Sequence, residues 1–336
     1  TLDYMNIGLV SAVQPVYAGG QVRTGYKLAS LGKTINEKSL ELSKEEVLVK
    51  TEQYYWTLVS LQAKRKTLSS YEKLLNNLQK DVQVTFNAGL IEKSDLLKVK
   101  MKISEVEASK LKLENGIEML KMALCQHIGI SYNEGITLQD TTFVIKNPES
   151  LYVTPEDALP NRKEYQLMNN AVDAEVLQKR LSKGEYLPQL AIGVQGRYLD
   201  IADQQNTYGI AFATLSIPIS DWWGGKHKIQ EHNIKIEIAK NNLDENSELL
   251  KLQMSQSFCE LTESFKLISV ANAQLELATE HVKAVTDNFR AGVVSTSDLL
   301  EAQAAYQEAE DNLTDAQSTY QIKETIYNQV AARNEN

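Results

Sequence analysis

The chain has 336 residues, of which 43% are hydrophobic and 24% are charged, as is usual for a folded protein. Its formal net charge of −9 argues against a nucleic-acid partner, because too few basic side chains are available to form a basic face. With only six prolines and sixteen glycines the chain favours long helices. It contains no apolar run of about 18 residues, so no transmembrane helix is predicted.

The first predicted elements are a strand and a very long helix. Residues 4–17 alternate loosely between apolar and polar types, and we expect this strand to stop near Pro15. Beyond the Gly19-Gly20 joint the helical pattern continues to Phe86, and a helix of about 65 residues, on the order of 100 Å long, indicates a coiled coil or an extended barrel. Apolar residues recur along it every seven residues, which predicts a left-handed supercoil: Val47, Tyr54, Leu61, Leu68, Leu75 and Val82.

A tight reversal between two helices follows this helix and is repeated later in the chain. The segment at 86–97 has the form Phe-x-x-Gly followed by Ser-Asp-Leu-Leu, and the same form returns at 289–300. The glycines are the predicted left-handed C-caps, and Ser94 and Ser297 are the predicted N-caps of the return helices. The repeat indicates a tandem duplication of antiparallel helix pairs.

An irregular stretch and a predicted β-hairpin separate the two reversals. Small strands are predicted near 136–138 and 143–145, and a helix is predicted from Pro155 to Gly184, with a break near Pro160. Two segments with a period of two follow, at 190–198 and 208–217, and a polar loop at 199–207 joins them. Each has about 9–11 residues, which suits a strand that crosses a bilayer, but the hairpin of a soluble sheet has the same periodicity.

The second helix pair differs from the first in the size of the residues along its seam, the line where the two helices face each other. Serine and alanine alternate with large apolar residues along it, and such small residues let helix axes approach closely. We therefore expect the second pair to pack more tightly than the first.

The order of these elements resembles the TolC-like outer-membrane factor family of Gram-negative bacteria. The resemblance extends over nearly all 336 residues, and it rests on the order and spacing of short motifs rather than on any single one. The motifs are Gln14-Pro15-Val16-Tyr17-Ala18-Gly19-Gly20, Phe86-Asn87-Ala88-Gly89-Leu90, Ser94-Asp95-Leu96-Leu97, Leu187-Pro188-Gln189-Leu190, Pro218-Ile219-Ser220-Asp221, Gly224-Gly225, Phe289-Arg290-Ala291-Gly292 and Ser297-Asp298-Leu299-Leu300-Glu301-Ala302-Gln303.

The resemblance implies a mainly α fold with an internal tandem duplication. Long antiparallel coiled-coil helices would form part of a trimeric α-barrel, and a few β-strands would belong to a shared outer-membrane β-barrel. Because the family has a further strand and helix before the segment that matches Thr1, we expect the chain to be truncated at its N-terminus. The predicted parts are a first repeat at 1–128 with its tip turn at 86–95, an irregular equatorial-type linker at 129–160, and a second repeat at 161–336 with the β-hairpin at 187–219, the long helix at 225–288 and the tip turn at 289–298.

The resemblance also implies a function and partners. The protein would be the outer-membrane channel of a tripartite efflux pump or a type I secretion system, and it would conduct passively through a gated periplasmic tunnel. Its expected partners are two further copies of itself, a periplasmic adaptor (membrane fusion) protein, an inner-membrane transporter reached through that adaptor, and outer-membrane lipid. No nucleic acid or cofactor is expected, and the exported substrate and the pump stay open.

Site residues follow from the positions that match the family's motifs. Asp95, Asp298 and Glu301 are the candidate gate acids, although acids in a first helical turn also offset the helix dipole. Two departures concern the gate: its hydroxyl-bearing aromatic residue is Phe289 here, and its basic partner is Val294. Either Arg290 substitutes for that partner or the tip is held by packing.

Two further groups of positions have competing interpretations. The candidate adaptor-docking residues are Phe86, Gly89, Phe289, Arg290 and Gly292, although the phenylalanines and glycines also suffice to make the turns. Adjacent Trp222 and Trp223 fit a membrane-interface belt or packing against the joint after the hairpin.

The sequence contains no recognisable catalytic constellation or phosphate-binding loop, so we expect a non-enzyme. His227 and Glu231 are four residues apart, and a solvated helix face is favoured over a metal site there. Cys125 and Cys259 are predicted to be inert, buried or half-buried thiols. The rival to a channel is a soluble coiled-coil scaffold without a pore, and a helical-bundle enzyme would need convergent polar groups in its core.

Overall fold

The computed structural model describes residues 5–138, 143–201 and 204–333. The described residues form two units. The first contains the residues up to Leu42 together with Lys163–Leu250, and the second contains the residues after Leu42 up to Arg162 and those from Lys251 onward.

The sheet of the first unit is an antiparallel meander. Its strands are β1 (Met5–Ala18), β2 (Gln189–Ile201) and β3 (Gln204–Ser216), in the order β1-β2-β3. The predicted polar loop at 199–207 is wrong, because ladder pairing continues to the pair Ile201–Gln204. The polar side chains of this stretch do not stop its backbone from pairing with the neighbouring strand. Asp203, also assigned to that loop, lies outside the described residues.

The prediction that the first strand stops near Pro15 is also wrong. Strand β1 continues to Ala18, and its register against β2 shifts between Pro15 and Tyr17. Proline lacks the N–H that a ladder needs, and an irregularity on an edge strand accommodates this loss without ending the strand.

A close approach of two glycines lies where β1 ends. Gly19 has a φ of 59°, and a Cβ added to it would lie 2.2 Å from the carbonyl oxygen of Gly184. Gly184 is in the last turn of helix α4 (Lys163–Glu185). A Cβ on Gly225, in the next helix of this unit, would lie 2.9 Å from the ring of Tyr186. The glycines at this joint therefore let backbone and ring approach at distances that side chains would prevent.

The described residues contain four long helices, as the periodicity predicts. They are α1 (Gln21–Asn87), α2 (Lys93–Ile128), α5 (Trp222–Arg290) and α6 (Thr296–Val330). Within the second unit the predicted seams are largely confirmed, since Leu68, Leu75 and Val82 of the first seam are buried. Val47, assigned to the same seam, is 48% exposed, so the seam does not extend to it.

The segment between the repeats has short helices rather than the expected small strands. It contains 3₁₀ turns at Pro148–Leu151 and Leu159–Asn161 and the short helix α3 (Pro155–Ala158). Residues 136–138 and 143–145 are in neither strand nor helix. Side chains of α6 bind this backbone instead: the Tyr320 hydroxyl donates to the carbonyl of Lys146 over 2.6 Å.

None of the described helices is both long and apolar enough to span a membrane. Both cysteines are free thiols. Cys125 is buried as predicted, but Cys259 is exposed, because its position on α5 faces away from the Ser257 and Leu261 seam.

Candidate functional site

The two reversals have the same backbone geometry. Gly89 and Gly292 both have a φ of 74°, which is the left-handed conformation that glycine adopts readily. The Gly89 N–H donates to the carbonyl of Phe86 over 2.9 Å, and the Gly292 N–H donates to that of Phe289 over 3.0 Å. In each turn the residue after the glycine donates to a carbonyl one position further back. These paired bonds form a Schellman motif and confirm the predicted glycine C-caps.

Apolar packing brings the two turns to the same end of the second unit. One buried cluster draws on helices α1, α2 and α6, and Phe86 and Phe289 pack against it together with Val285 of α5. The turn residues therefore belong to a single candidate tip. The buried members are Leu68, Tyr71, Leu75, Leu78, Val82, Leu96, Val99, Val106, Leu299 and Leu300.

The caps of the return helices differ from the prediction and from each other. Helix α6 is capped by Ser295, whose hydroxyl accepts from the Asp298 N–H, while the Asp298 carboxylate accepts from the Ser295 N–H over 2.8 Å. The matching cap of α2 is Glu92, whose side chain makes no capping bond. The predicted caps Ser94 and Ser297 are wrong because each helix begins before them. Ser295 and Asp298 have the Ser-x-x-acid spacing of a capping box, which was the sequence signal for Ser295.

The three candidate gate acids have three different environments. Asp95 lies 3.4 Å from the ammonium of Lys98, on the same helix. Hydrogen bonds from the hydroxyl and N–H of Ser295 lower the pKa of Asp298 below its ordinary value, and the charge of Lys98 adds to this effect. Glu301 is exposed and has no hydrogen bond or ion pair within the described part of the chain.

Lys98 is the functional candidate that sequence reasoning missed. Its ammonium donates to the Ser297 hydroxyl over 2.8 Å, so it connects the second turn of α2 to the first turn of α6. Its spacing of three residues from Asp95 was the available signal. Arg290, the basic residue considered from the sequence, lies 3.8 Å from Asp287 on its own helix, and both side chains are largely exposed.

The surface of the turns is apolar where it is most exposed. Leu90 is 76% exposed and Val293 is 73% exposed, and each follows the glycine of its turn. These two residues were also missed, and their repeated position after Gly89 and Gly292 would have indicated them. Each turn therefore exposes an apolar side chain next to its glycine.

The adjacent tryptophans near the hairpin have different roles in the structure. The Trp222 indole N–H donates to the carbonyl of Tyr186 over 2.9 Å, so this ring packs against the joint. Trp223 is 78% exposed. Trp222 is itself 51% exposed, so Trp223 has the larger share of its ring free to contact surroundings outside the unit.

The alternative of a metal site at His227 and Glu231 has no support in the geometry. Glu231 lies 3.0 Å from Lys228 and 2.8 Å from Lys235, and these two ammonium groups lower its pKa to about 2. Among the residues for which the structure gives positions, no group of three or more histidine, cysteine or acidic side chains could hold a metal ion.

Comparison with known proteins gives a family and a fold. A family model described as outer membrane efflux protein matches residues 154–328, just over half of the chain. No protein with a curated function matches the sequence.

Solved structures that resemble this chain include outer-membrane proteins, two of them described as outer-membrane channels, at low sequence identity. VceC from Vibrio cholerae is 14% identical with a TM-score of 0.78, and the match covers 98% of this chain and 87% of that protein. CmeC from Campylobacter jejuni is 12% identical with a TM-score of 0.79, and the match covers 98% of this chain and 77% of CmeC. MtrE from Neisseria gonorrhoeae is 12% identical with a TM-score of 0.80, and the match covers 98% of this chain and 80% of MtrE. At these identities the likeness shows the fold alone.

Proposed function

Because the chain belongs to the outer membrane efflux protein family, we propose that it is the outer-membrane exit duct of a tripartite efflux pump or type I secretion system in a Gram-negative bacterium. It would conduct passively through a tunnel whose periplasmic end is the candidate tip. The outer membrane protein VceC and the outer-membrane channels CmeC and MtrE, which have the same fold, support this assignment.

The observation that carries the proposal is the exposure of the three-stranded sheet. Both of its faces expose large apolar side chains, and Val10 is 79% exposed. A sheet of this kind is stable in water only when something covers it, and lipid on one face with further copies at its edges would do so. The exposed apolar residues are Val10, Val194 and Leu215 on one face and Leu9, Val13 and Ile210 on the other.

The two outer edges of the same sheet support the proposal of a homotrimer. Strands β1 and β3 each pair with β2 alone among the described residues, so their outer edges can extend the sheet into neighbouring copies. Trp223, which is exposed close to the end of β3, would then lie at the membrane–water interface, where tryptophan is enriched.

At the candidate tip, we assign the gate to Asp95, Asp298 and Glu301. Three copies would place acidic rings around the axis, and such rings favour cations. Lys98 would restrain this gate by connecting α2 to α6. Closure would thus depend on a bond inside each copy as well as on contacts between copies.

Docking of a periplasmic adaptor is assigned to the turn surface. Its residues are Phe86, Gly89, Phe289, Arg290 and Gly292, to which the exposed Leu90 and Val293 are added. The adaptor would connect the duct to an inner-membrane transporter, which supplies the energy.

The test is single-channel recording from the protein expressed from its complete gene and purified as an oligomer from outer membranes. We expect discrete conductance steps in a planar bilayer. A correctly folded oligomer that never conducts would support the rival function, a coiled-coil scaffold without a pore.

Adaptor docking needs a separate test with a matched control. Gly292 and Gly129 both cap helices with positive φ, of 74° and 75°, but Gly129 lies at the opposite end of α2 from the tip. Gly292→Ala and Gly129→Ala should each lower stability by about 1 kcal/mol. Only Gly292→Ala should weaken capture of the adaptor encoded with the same pump. Equal capture by the two folded variants would place the docking surface elsewhere.

A further inference from the structure

The second unit contains a cavity remote in sequence from both turns. Its volume is ≈ 480 Å³, and it lies between the middle of α1, the segment around Lys146 and the end of α6. A cavity of this size is in the range of small-molecule binding sites, about 300–1,000 Å³.

Two acceptor oxygens in this cavity have no donor. Glu324 is only 6% exposed, and while its Oε1 lies 3.1 Å from the ammonium of Lys146, its Oε2 has no hydrogen-bond partner in the described structure. The Oδ1 of Asn328, one helical turn further along α6, is also buried without a partner. Buried acceptors without donors are unfavourable, so this pair indicates that a donor group belongs in the cavity.

The other lining groups define the charge and shape of that donor. Glu45 and Glu52 add two carboxylates, against which the cavity has the cations of Lys146 and Arg333. The Arg333 guanidinium is already bound to the carbonyl of Leu151. The lining therefore has one more acid than base. The Glu52 carboxylate already accepts from the Thr325 hydroxyl, so the acceptors left without a donor are Glu324 Oε2 and Asn328 Oδ1.

Apolar and aromatic surface completes the cavity. Leu48 and Val49 line it beside Trp56, whose ring is held by Phe143 at a centroid distance of 5.8 Å. An indole ring attracts a cation through its π-face and also packs against methylene groups. The cavity thus combines buried acceptors with a surface for a short hydrocarbon chain.

We propose that this cavity binds a primary organic ammonium ion. Its N–H groups would donate to Glu324 Oε2 and Asn328 Oδ1, and its methylene groups would lie against Trp56. A primary ammonium has three donors and no acceptor, which matches the lining. A metal ion is disfavoured because the described residues provide no group of three metal-binding side chains.

The test uses the fluorescence of Trp56 in the intact protein. The chain has three tryptophans, so Trp222→Phe and Trp223→Phe leave Trp56 as the only reporter. The probe is the diamine putrescine, and the control probe is its permethylated analogue, which has the same charge but no N–H. We expect saturable quenching by putrescine and at least about tenfold weaker binding of the analogue, because charge-assisted hydrogen bonds are lost.

Matched variants separate the cavity from general charge effects. Glu324→Gln and, independently, Asn328→Leu should each weaken putrescine binding by about tenfold or more. Glu260→Gln removes a carboxylate that pairs with Lys323 over 2.7 Å outside the cavity, and it should leave binding unchanged. Absence of saturable quenching would overturn the proposal and leave water as the occupant. Equal binding of the two probes, or no loss of binding in both folded cavity variants, would overturn it as well.

Discussion

The ammonium of Lys98 donates a hydrogen bond to the hydroxyl of Ser297 over 2.8 Å, and this bond connects the two sequence repeats at their turns. The same ammonium lies 3.4 Å from Asp95 and helps to lower the pKa of Asp298. One cation is therefore shared by the first turns of both return helices.

Replacing Lys98 should loosen the start of α6. Lys98→Met removes the bond to Ser297, which is worth about 1 kcal/mol, so amide hydrogens in the first turn of α6 should exchange roughly fivefold faster. Lys102→Met is the matched control, because Lys102 pairs with Glu105 on its own helix. Equal exchange in the two variants would show that the bond does not restrain the tip.

Neutralising the gate acids should relieve block of the channel by cations. In the oligomer, Asp298→Asn together with Glu301→Gln should raise the concentration of a trivalent cation needed for half-block by about tenfold, because the acidic ring loses charge. Ser295→Ala removes the cap of α6 but keeps both charges. The cation concentration needed to half-block this variant should equal that of the wild type. Normal block in the double variant would exclude these acids from the gate.

The cap of α6 should matter more to stability than the matching position of α2. Ser295→Ala should lower the free energy of unfolding by about 1 kcal/mol, whereas Glu92→Ala should have little effect, because Glu92 makes no capping bond. Glu92→Ser should stabilise the protein by giving the first turn a serine cap like that of α6. Thermal unfolding followed by circular dichroism measures all three changes.

The contribution of Asp298 to this cap has a defined pH dependence. Its pKa in the folded protein is lower than its ordinary value of 3.8, so its stabilising effect is fully present above that value and is lost as the pH falls through the folded pKa. The difference between wild type and Asp298→Asn should therefore disappear on strong acidification. A difference that grows at low pH would contradict this assignment.

The glycine contact at the end of β1 should be intolerant of a methyl group. In Gly184→Ala the new Cβ would lie 2.8 Å from the Gly19 carbonyl oxygen, and backbone atoms cannot move away as a side chain can. We expect a loss of about 1–3 kcal/mol. Gly32→Ala, in α1 with nothing within 4 Å, should instead stabilise by roughly 0.5–1 kcal/mol. Unfolding temperatures that shift in the same direction in both variants would contradict the contact.

Asp311 should weaken the fold at neutral pH. Burial raises its pKa to about 6, an effect that Asp315 and Glu310 reinforce and Lys64 opposes. Because the folded pKa exceeds the ordinary value of 3.8, the penalty is absent at low pH, grows between these values and is complete above about 6. Asp311→Asn should stabilise by about 1 kcal/mol near pH 8, after allowance for solvent screening, and the gain should vanish toward pH 4.

The sequence predicted elements whose signals are local. Repeated glycines and heptads indicated the long helices and their turns, because left-handed caps and seams depend on residues a few positions apart. The hydrogen bond from Lys98 to Ser297 and the cavity at Glu324 join residues distant in the chain, and no local pattern encodes such a pairing. The continuation of β1 past Pro15 likewise depends on β2, which supplies the ladder.

The two turns have the same backbone conformation, but only the helix that follows the second turn has a side-chain cap, which Ser295 provides. In a trimer, six turns would surround one axis, with capped and uncapped turns in alternation. Their backbones would approximate sixfold symmetry, while their side chains would have only threefold symmetry. A binding protein that contacts backbone alone can occupy six equivalent places on such a ring, and one that distinguishes Ser295 from Glu92 is limited to three.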